Sequence, residues 1–146
     1  MVDDAPLPAI ERLSREEALA LVATLEIGRI AVGRAGQPPL VVPVNYVLDG
    51  EVIVFRSDPG TKLSVLVRGE PVSFQVDLVD PFHRSGWSVL VTGTAFEATH
   101  WEVDHLTVEP WAGGDKQHWV RLEPDTVTGR RVQFQEAVDE DLPGYL

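Results

Sequence analysis

Arg56, Ser57, Thr61 and Lys62 flank the turn Asp58-Pro59-Gly60 within a stretch of seven residues. A guanidinium, an ammonium and two hydroxyls at this spacing are the donors that a phosphate requires. The Val-Ile-Val-Phe run at 52–55 predicts a buried strand before the turn. After it, Asp58 is the expected N-cap, Pro59 the first helical residue, and Leu63, Leu66 and Val67 recur on one helix face until Gly69 and Pro71 end it. A helix start adds amides without acceptors and the positive end of a dipole, so the stretch predicts an anion site where a strand gives way to a helix. Lys62 is one of two lysines in the chain. The glycine spacing is not that of a Walker loop. A capped helix with solvated charges is the plainer reading of the same residues.

The rest of the composition limits what such a site can serve. With 146 residues and 44% apolar content the chain suits a single domain with a real core. A net charge of −11 opposes nucleic acid and anionic membranes as partners, whereas a ligand with one or two phosphates needs only a local cluster of cations. Cysteine is absent, which removes disulfides and thiolate chemistry and fits a reducing cytoplasm. The N-terminus has no basic run before an apolar one, and no apolar run approaches the ~20 residues that span a bilayer, so the expectation is a soluble, cytoplasmic protein. His83, His100, His105 and His118 lack zinc spacing, and no serine, histidine and aspartate set suggests acyl transfer.

Residues 1–13 read as an arm, 14–135 as the folded domain and 136–146 as an acidic tail. Ser14 and Glu17 form a capping box for a first helix with Ala18, Leu21, Val22 and Leu25 on its apolar stripe and Gly28 just beyond. Strands are expected at 27–32, 40–47, 51–55, 72–78, 87–96 and 118–122, with a short last one at 129–134; Asp49-Gly50 marks a tight hairpin. Pro43 suits only a strand edge or a bulge. Residues 99–114 predict a short helix and a loop. Many short strands and few helices predict a mainly β, antiparallel barrel or sandwich. The run Val41-Val42-Pro43-Val44 is apolar on both faces, which points to a second layer or a second copy of the chain outside the barrel.

Taken together, the 56–63 turn, Val72-Ser73-Phe74-Gln75-Val76-Asp77, Ser85-Gly86-Trp87-Ser88-Val89, Val91-Thr92-Gly93, Trp119-Val120-Arg121 and Thr128-Gly129-Arg130-Arg131 resemble the pyridoxamine 5'-phosphate oxidase-like split-barrel family, in particular its small nitroimidazole-reductase-like branch. The resemblance covers residues 10–131. It implies a six-stranded antiparallel Greek-key barrel, a homodimer, and FMN bound between the subunits. Arg56, Ser57, Thr61 and Lys62 would hold the phosphate, Val42, Pro43, Val44 and Asn45 would line the isoalloxazine, and Trp87 and Ser88 would reach the flavin, across the dimer or within one chain. The chain ends in acids rather than the basic segment of true pyridoxamine phosphate oxidases, so vitamin B6 oxidation is not expected.

The function implied is hydride transfer from a reduced nicotinamide through the flavin to a small acceptor, with water or Tyr46 as proton source. Two other readings stay open: a reductase using deazaflavin F420, whose acidic tail fits poorly with so few lysines, and a non-catalytic protein that carries flavin or haem. A dimeric scaffold with a vestigial phosphate site is a further one. Asn45 could instead satisfy a buried turn, Trp87 could be core or interface, and Trp111 and Trp119 could either stack on the flavin or simply pack.

Overall fold

In the computed structural model, residues 9–111 and 117–133 are described, Thr61 by its backbone alone. The strands are β1 (Ala9–Leu13), β2 (Ile27–Arg34), β3 (Gln37–Asp49), β4 (Val52–Ser57), β5 (Pro71–Asp80), β6 (Ser85–Glu97) and β7 (His118–Gln133); the helices are α1 (Arg15–Val22), α2 (Thr61–Leu66) and α3 (His100–Val103). All pairings are antiparallel, in the order β1-β7-β4-β3-β2-β5-β6, and β6 pairs again with β7. Six strands therefore close into a Greek-key barrel. The expected mainly β, split-barrel architecture is what the chain adopts.

The split lies along β7. One of its edges pairs with β6 from Val120 to Val132, while the other is shared: β4 takes His118–Leu122 and β1 takes Gly129–Gln133. The two terminal strands expected at 118–122 and 129–134 are thus one strand, which passes Pro124 with a register shift opposite Thr92 and Gly93. Phe134 lies outside the described residues. Ala9–Leu13, within the expected arm, is the strand β1, a short edge element with a mostly exposed pattern; residues 1–8 and the tail from 134 lie outside the described residues.

Inside, Ile30, Ile53, Phe55, Phe74, Val89, Val91 and Leu122 are fully buried. Burying each such side chain contributes about 1.5–3 kcal/mol. Tyr46 meets Phe74 edge to face at 4.9 Å. At one end α1 packs Ala18 and Val22 into the core with Leu13. Ser14 and Glu17 cap it reciprocally, as the sequence predicts. The buried stripe is Ala18, Leu19 and Val22, so Leu21 and Leu25 sit at its margin. Gly28 does not terminate that helix. It is a β2 residue, and a Cβ there would lie 2.4 Å from the Phe74 ring.

Asp49 faces Val52 across Gly50-Glu51, and Gly50 has φ 62°, so the hairpin forms as expected. Pro43 pairs with Arg29 of β2, whereas the β3–β4 ladder covers only Tyr46–Asp49; Pro43 therefore lies on a one-sided stretch of β3. Among the described residues no helix is long and apolar enough to cross a membrane.

At the β6–β7 shift a Cβ on Gly93 would lie 2.0 Å from the Glu123 carbonyl oxygen, whereas one on Gly33 would meet nothing within 4 Å. Gly93→Ala should therefore cost about 1–3 kcal/mol, as other forced overpacking does, and Gly33→Ala should be neutral or mildly stabilising. Urea midpoints decide this; equal midpoints for the two variants would contradict the register at Gly93.

Candidate functional site

Strands alternate their side chains between faces, and at β4 this decides the site. Ile53, Phe55 and Ser57 point into the barrel, and Val54 and Arg56 point out. Ser57 is fully buried and its hydroxyl donates to the Asp58 carbonyl at 3.0 Å. Arg56 donates from Nη1 to the Val108 carbonyl at 3.3 Å, and its guanidinium carbon lies 5.3 Å from the ring centre of Trp119, its partner across the ladder. Arg56 and Ser57, expected to share one ligand, thus lie on opposite faces of the strand.

The turn also differs from expectation. Because β4 continues through Ser57, Asp58 comes too early to cap the helix, and Pro59 lies outside it. Gly60 is the N-cap, with φ 129° and no side-chain cap bond, and α2 starts at Thr61. Only glycine adopts that φ readily. A Cβ on Gly60 would meet nothing within 4 Å, so the backbone of the turn borders open space. Lys62 is half-buried at the start of α2. The donor types around the turn are the outward Arg56 guanidinium, the Lys62 ammonium and the first-turn amides of α2, which helix geometry leaves without intrahelical acceptors. This donor set fits a phosphate ester.

On β3, Val44 is buried and Val42 packs against the core, while Pro43 and Asn45 face outward. The Asn45 carboxamide is engaged at both ends: Oδ1 accepts from the Trp111 N–H at 2.9 Å, and Nδ2 donates to the Glu26 carbonyl at 3.4 Å. Tyr46 points inward. It is 3% exposed, it donates to the Val22 carbonyl, and burial pushes its phenol up to about 12. A phenol in that position cannot protonate a substrate outside the barrel, which removes Tyr46 as proton source.

Outward residues line up across the sheet in the rows Pro43–Arg29–Gln75–Leu90–Thr128 and Val41–Ala31–Ser73–Thr92–Thr126. Val41 and Leu90 are exposed on this face. Trp87 turns inward against the core, and Ser88 turns outward between Asp77 and Arg130. A groove of about 420 Å³ lies there, lined among others by Arg84, Ser88, Arg130 and Val132. Arg56 registers with Trp119 and Ser88 with Arg130, eleven residues further along β7. At ~3.3 Å per residue that is as much as ~36 Å of strand. One chain does not bring Arg56 and Ser88 together.

The outer wall near Arg56 is covered by a strap, residues 98–111, comprising α3 and the loop after it, as expected for this stretch. Val103 and Val108 of the strap and outward-facing Val54 are all buried. Its polar clasp was not anticipated from sequence. Arg121 Nη1 meets Asp49 Oδ2 at 2.9 Å and Nε meets Glu102 Oε2 at 3.5 Å; His105 Nε2 lies 3.3 Å from Asp49 Oδ1. The Asp49-Gly50 turn signal concealed the carboxylate's second role, and only the β4–β7 pairing brings Arg121 beside it. The Arg121 hydrogen bond, followed by that of His105, holds the Asp49 carboxyl below its ordinary value of 3.8. Because the folded-state value is depressed, this stabilisation is present above 3.8 and is lost as pH falls below it. The difference in urea midpoint between the native chain and Asp49→Asn should accordingly shrink on acidification through that range; a difference independent of pH would contradict the clasp.

With this geometry in view, the relatives are informative. The family described as pyridoxamine 5'-phosphate oxidase matches residues 14–131. An uncharacterized protein of Mycobacterium tuberculosis is 38% identical over 132 residues, covering 84% of this chain and 86% of its own length. Among solved structures, an FAD binding protein from Mycobacterium smegmatis is 31% identical with a TM-score of 0.72, over 84% of this chain and 98% of that one. An FAD-binding protein from Mesorhizobium loti is 27% identical with a TM-score of 0.71, over 86% and 98%. The barrel, its order of strands and the extent of the match carry one conclusion: this chain belongs to the pyridoxamine 5'-phosphate oxidase family and has the fold of its flavin-binding split barrels.

Proposed function

We propose that the chain is a flavin-dependent oxidoreductase that binds its cofactor in a groove between two copies of itself. The observation that carries the reading is the cationic turn, with Arg56 outward and Lys62 beside an open backbone, together with an outer sheet face on which Val41 and Leu90 are exposed. Arg56, Lys62 and the first-turn amides of α2 would hold the phosphate on the ribityl chain. FMN, implied by the sequence, and FAD, named in both structural relatives, share that phosphate. Ser57, buried and bonded to Asp58, would support the turn from within rather than touch the ligand. On β3, the outer residues Pro43 and Asn45 would border the ring.

The two-electron chemistry, a hydride in from reduced nicotinamide and out to a small acceptor, would come from the flavin. The protein's part is to bind, orient and exclude water. With Tyr46 bonded to Val22 inside the barrel, a proton for the product would come from solvent. The separation of Arg56 from Ser88 along β7 favours a two-chain site, since a partner copy could supply the Trp87–Ser88 end that the first lacks near its phosphate corner.

Purified protein should be yellow, or become so with added FAD or FMN, and chromatography of the released cofactor identifies the nucleotide. Charge-assisted bonds to phosphate contribute about 1.5–3 kcal/mol each, so Arg56→Ala with Lys62→Ala should weaken flavin binding at least about tenfold. Unchanged affinity would move the site elsewhere. Leu90→Arg, which puts a charge in the middle of the outer face, should give a monomer by sedimentation and lower flavin content at the same time; a colourless dimer or a yellow monomer would separate the two halves of the reading.

A further inference from the structure

Trp111 has its backbone fixed and its ring free. Its N–H is held by Asn45 at 2.9 Å, yet the residue is 70% exposed. Large aromatic side chains left in water beside a cavity are suited to stacking on a ligand ring. On one side of Trp111 lies a cavity of about 500 Å³, bordered by Leu25, Ile27 and Leu78 and by the charged Glu26, Arg29 and Asp77. Ile27 is the ladder partner of Asn45, so this cavity adjoins the β3 residues proposed to border the flavin ring.

The charges decide what can enter. Arg29 Nη1 lies 3.6 Å from Asp77 Oδ1 and 3.4 Å from Gln75 Oε1, so the one cation among the described residues lining the cavity is already matched by a carboxylate. Glu26 remains, and the whole chain carries −11. An anionic ligand would meet net repulsion here, whereas an uncharged ring would meet an indole and three aliphatic side chains. We propose that this cavity is a binding site for an uncharged, flat ring compound, with Trp111 as its stacking wall and Asn45 as the positioning residue that fixes Trp111. The site deepens the oxidoreductase reading: it makes the small acceptor a neutral ring compound such as a quinone. The name acceptor rests on that reading, but binding to the cavity does not.

The test is equilibrium dialysis of the protein, as purified, against two naphthoquinones of nearly equal size: menadione, which is uncharged, and lawsone, which is an anion at neutral pH. The chain has no cysteine, so menadione cannot be trapped by a thiol. Menadione should bind with a dissociation constant at least tenfold below that of lawsone, and Trp111→Leu should raise it at least fivefold with the urea midpoint unchanged, as expected at an exposed position. Equal binding of the two quinones, no binding of menadione, or unaltered binding by Trp111→Leu would overturn the proposal. A parallel FAD and FMN titration of the native chain keeps the two ideas apart. Menadione binding without flavin binding would sink the oxidoreductase reading alone, and flavin binding without menadione binding would sink this one alone.

Discussion

The closure of β7 is the constraint on which the molecule depends. Sixteen residues of one strand satisfy β6 along one edge and divide the other between β4 and β1. Without that double use the sheet would be left with open edges at β4 and β6, rows of unpaired amides and carbonyls exposed to pairing by other chains. Closure also fixes which residues face the core, since a one-residue slip on β7 would turn Val120 and Leu122 out and Arg121 in. The cost of burying that guanidinium among Phe55 and Ile53 would be prohibitive, so sequence and register select each other.

The same alternation explains why the chemistry lies outside the barrel. Its interior is filled by aliphatic and aromatic side chains and offers no room for a nucleotide. What remains is the outer surface, where Arg56, Pro43, Asn45, Arg29 and Ser88 share one side of the sheet but different places on it. The residues with the strongest chemical character near the turn and those near the β5–β6 hairpin sit at opposite ends of β7. In the pair of chains proposed here, a two-fold axis would reconcile this separation with a single ligand, each copy completing the other's groove.

Much of this was legible from local signals because those signals act locally. Ser14 and Glu17 cap a helix within three residues, and Asp49-Gly50 turns the chain within four, so neither needs tertiary context. Pro43 likewise announced a strand with one free side. The misreadings share a cause. Gly28 looks like a helix stop and 123–128 like a gap between two strands, yet the glycine makes room for the ring of Phe74 from another strand and the gap is carried through by a register shift against β6. Asp58 has the chemistry of a cap but lies one residue past the end of a strand that tertiary pairing extends to Ser57. Tyr46 looked available for proton transfer until its neighbours turned it inward. The clasp joins Arg121 to Asp49, 72 positions away, and to Glu102, 19 positions away, and has no sequence signature.

The strap over the outer wall is attached differently from everything beneath it. Its ties to the barrel include the Asn45 and Arg56 side-chain bonds, the Arg121 clasp and two valines, while among the described residues the one main-chain bond between them is that of the Ala98 amide, which donates to the Trp119 carbonyl. Segments held mainly by side-chain bonds and a few apolar contacts open at lower cost than the ladders beneath them. Loss of the strap would therefore uncover Val54 and remove the Val108 carbonyl from Arg56 while leaving the β4–β7 ladder paired.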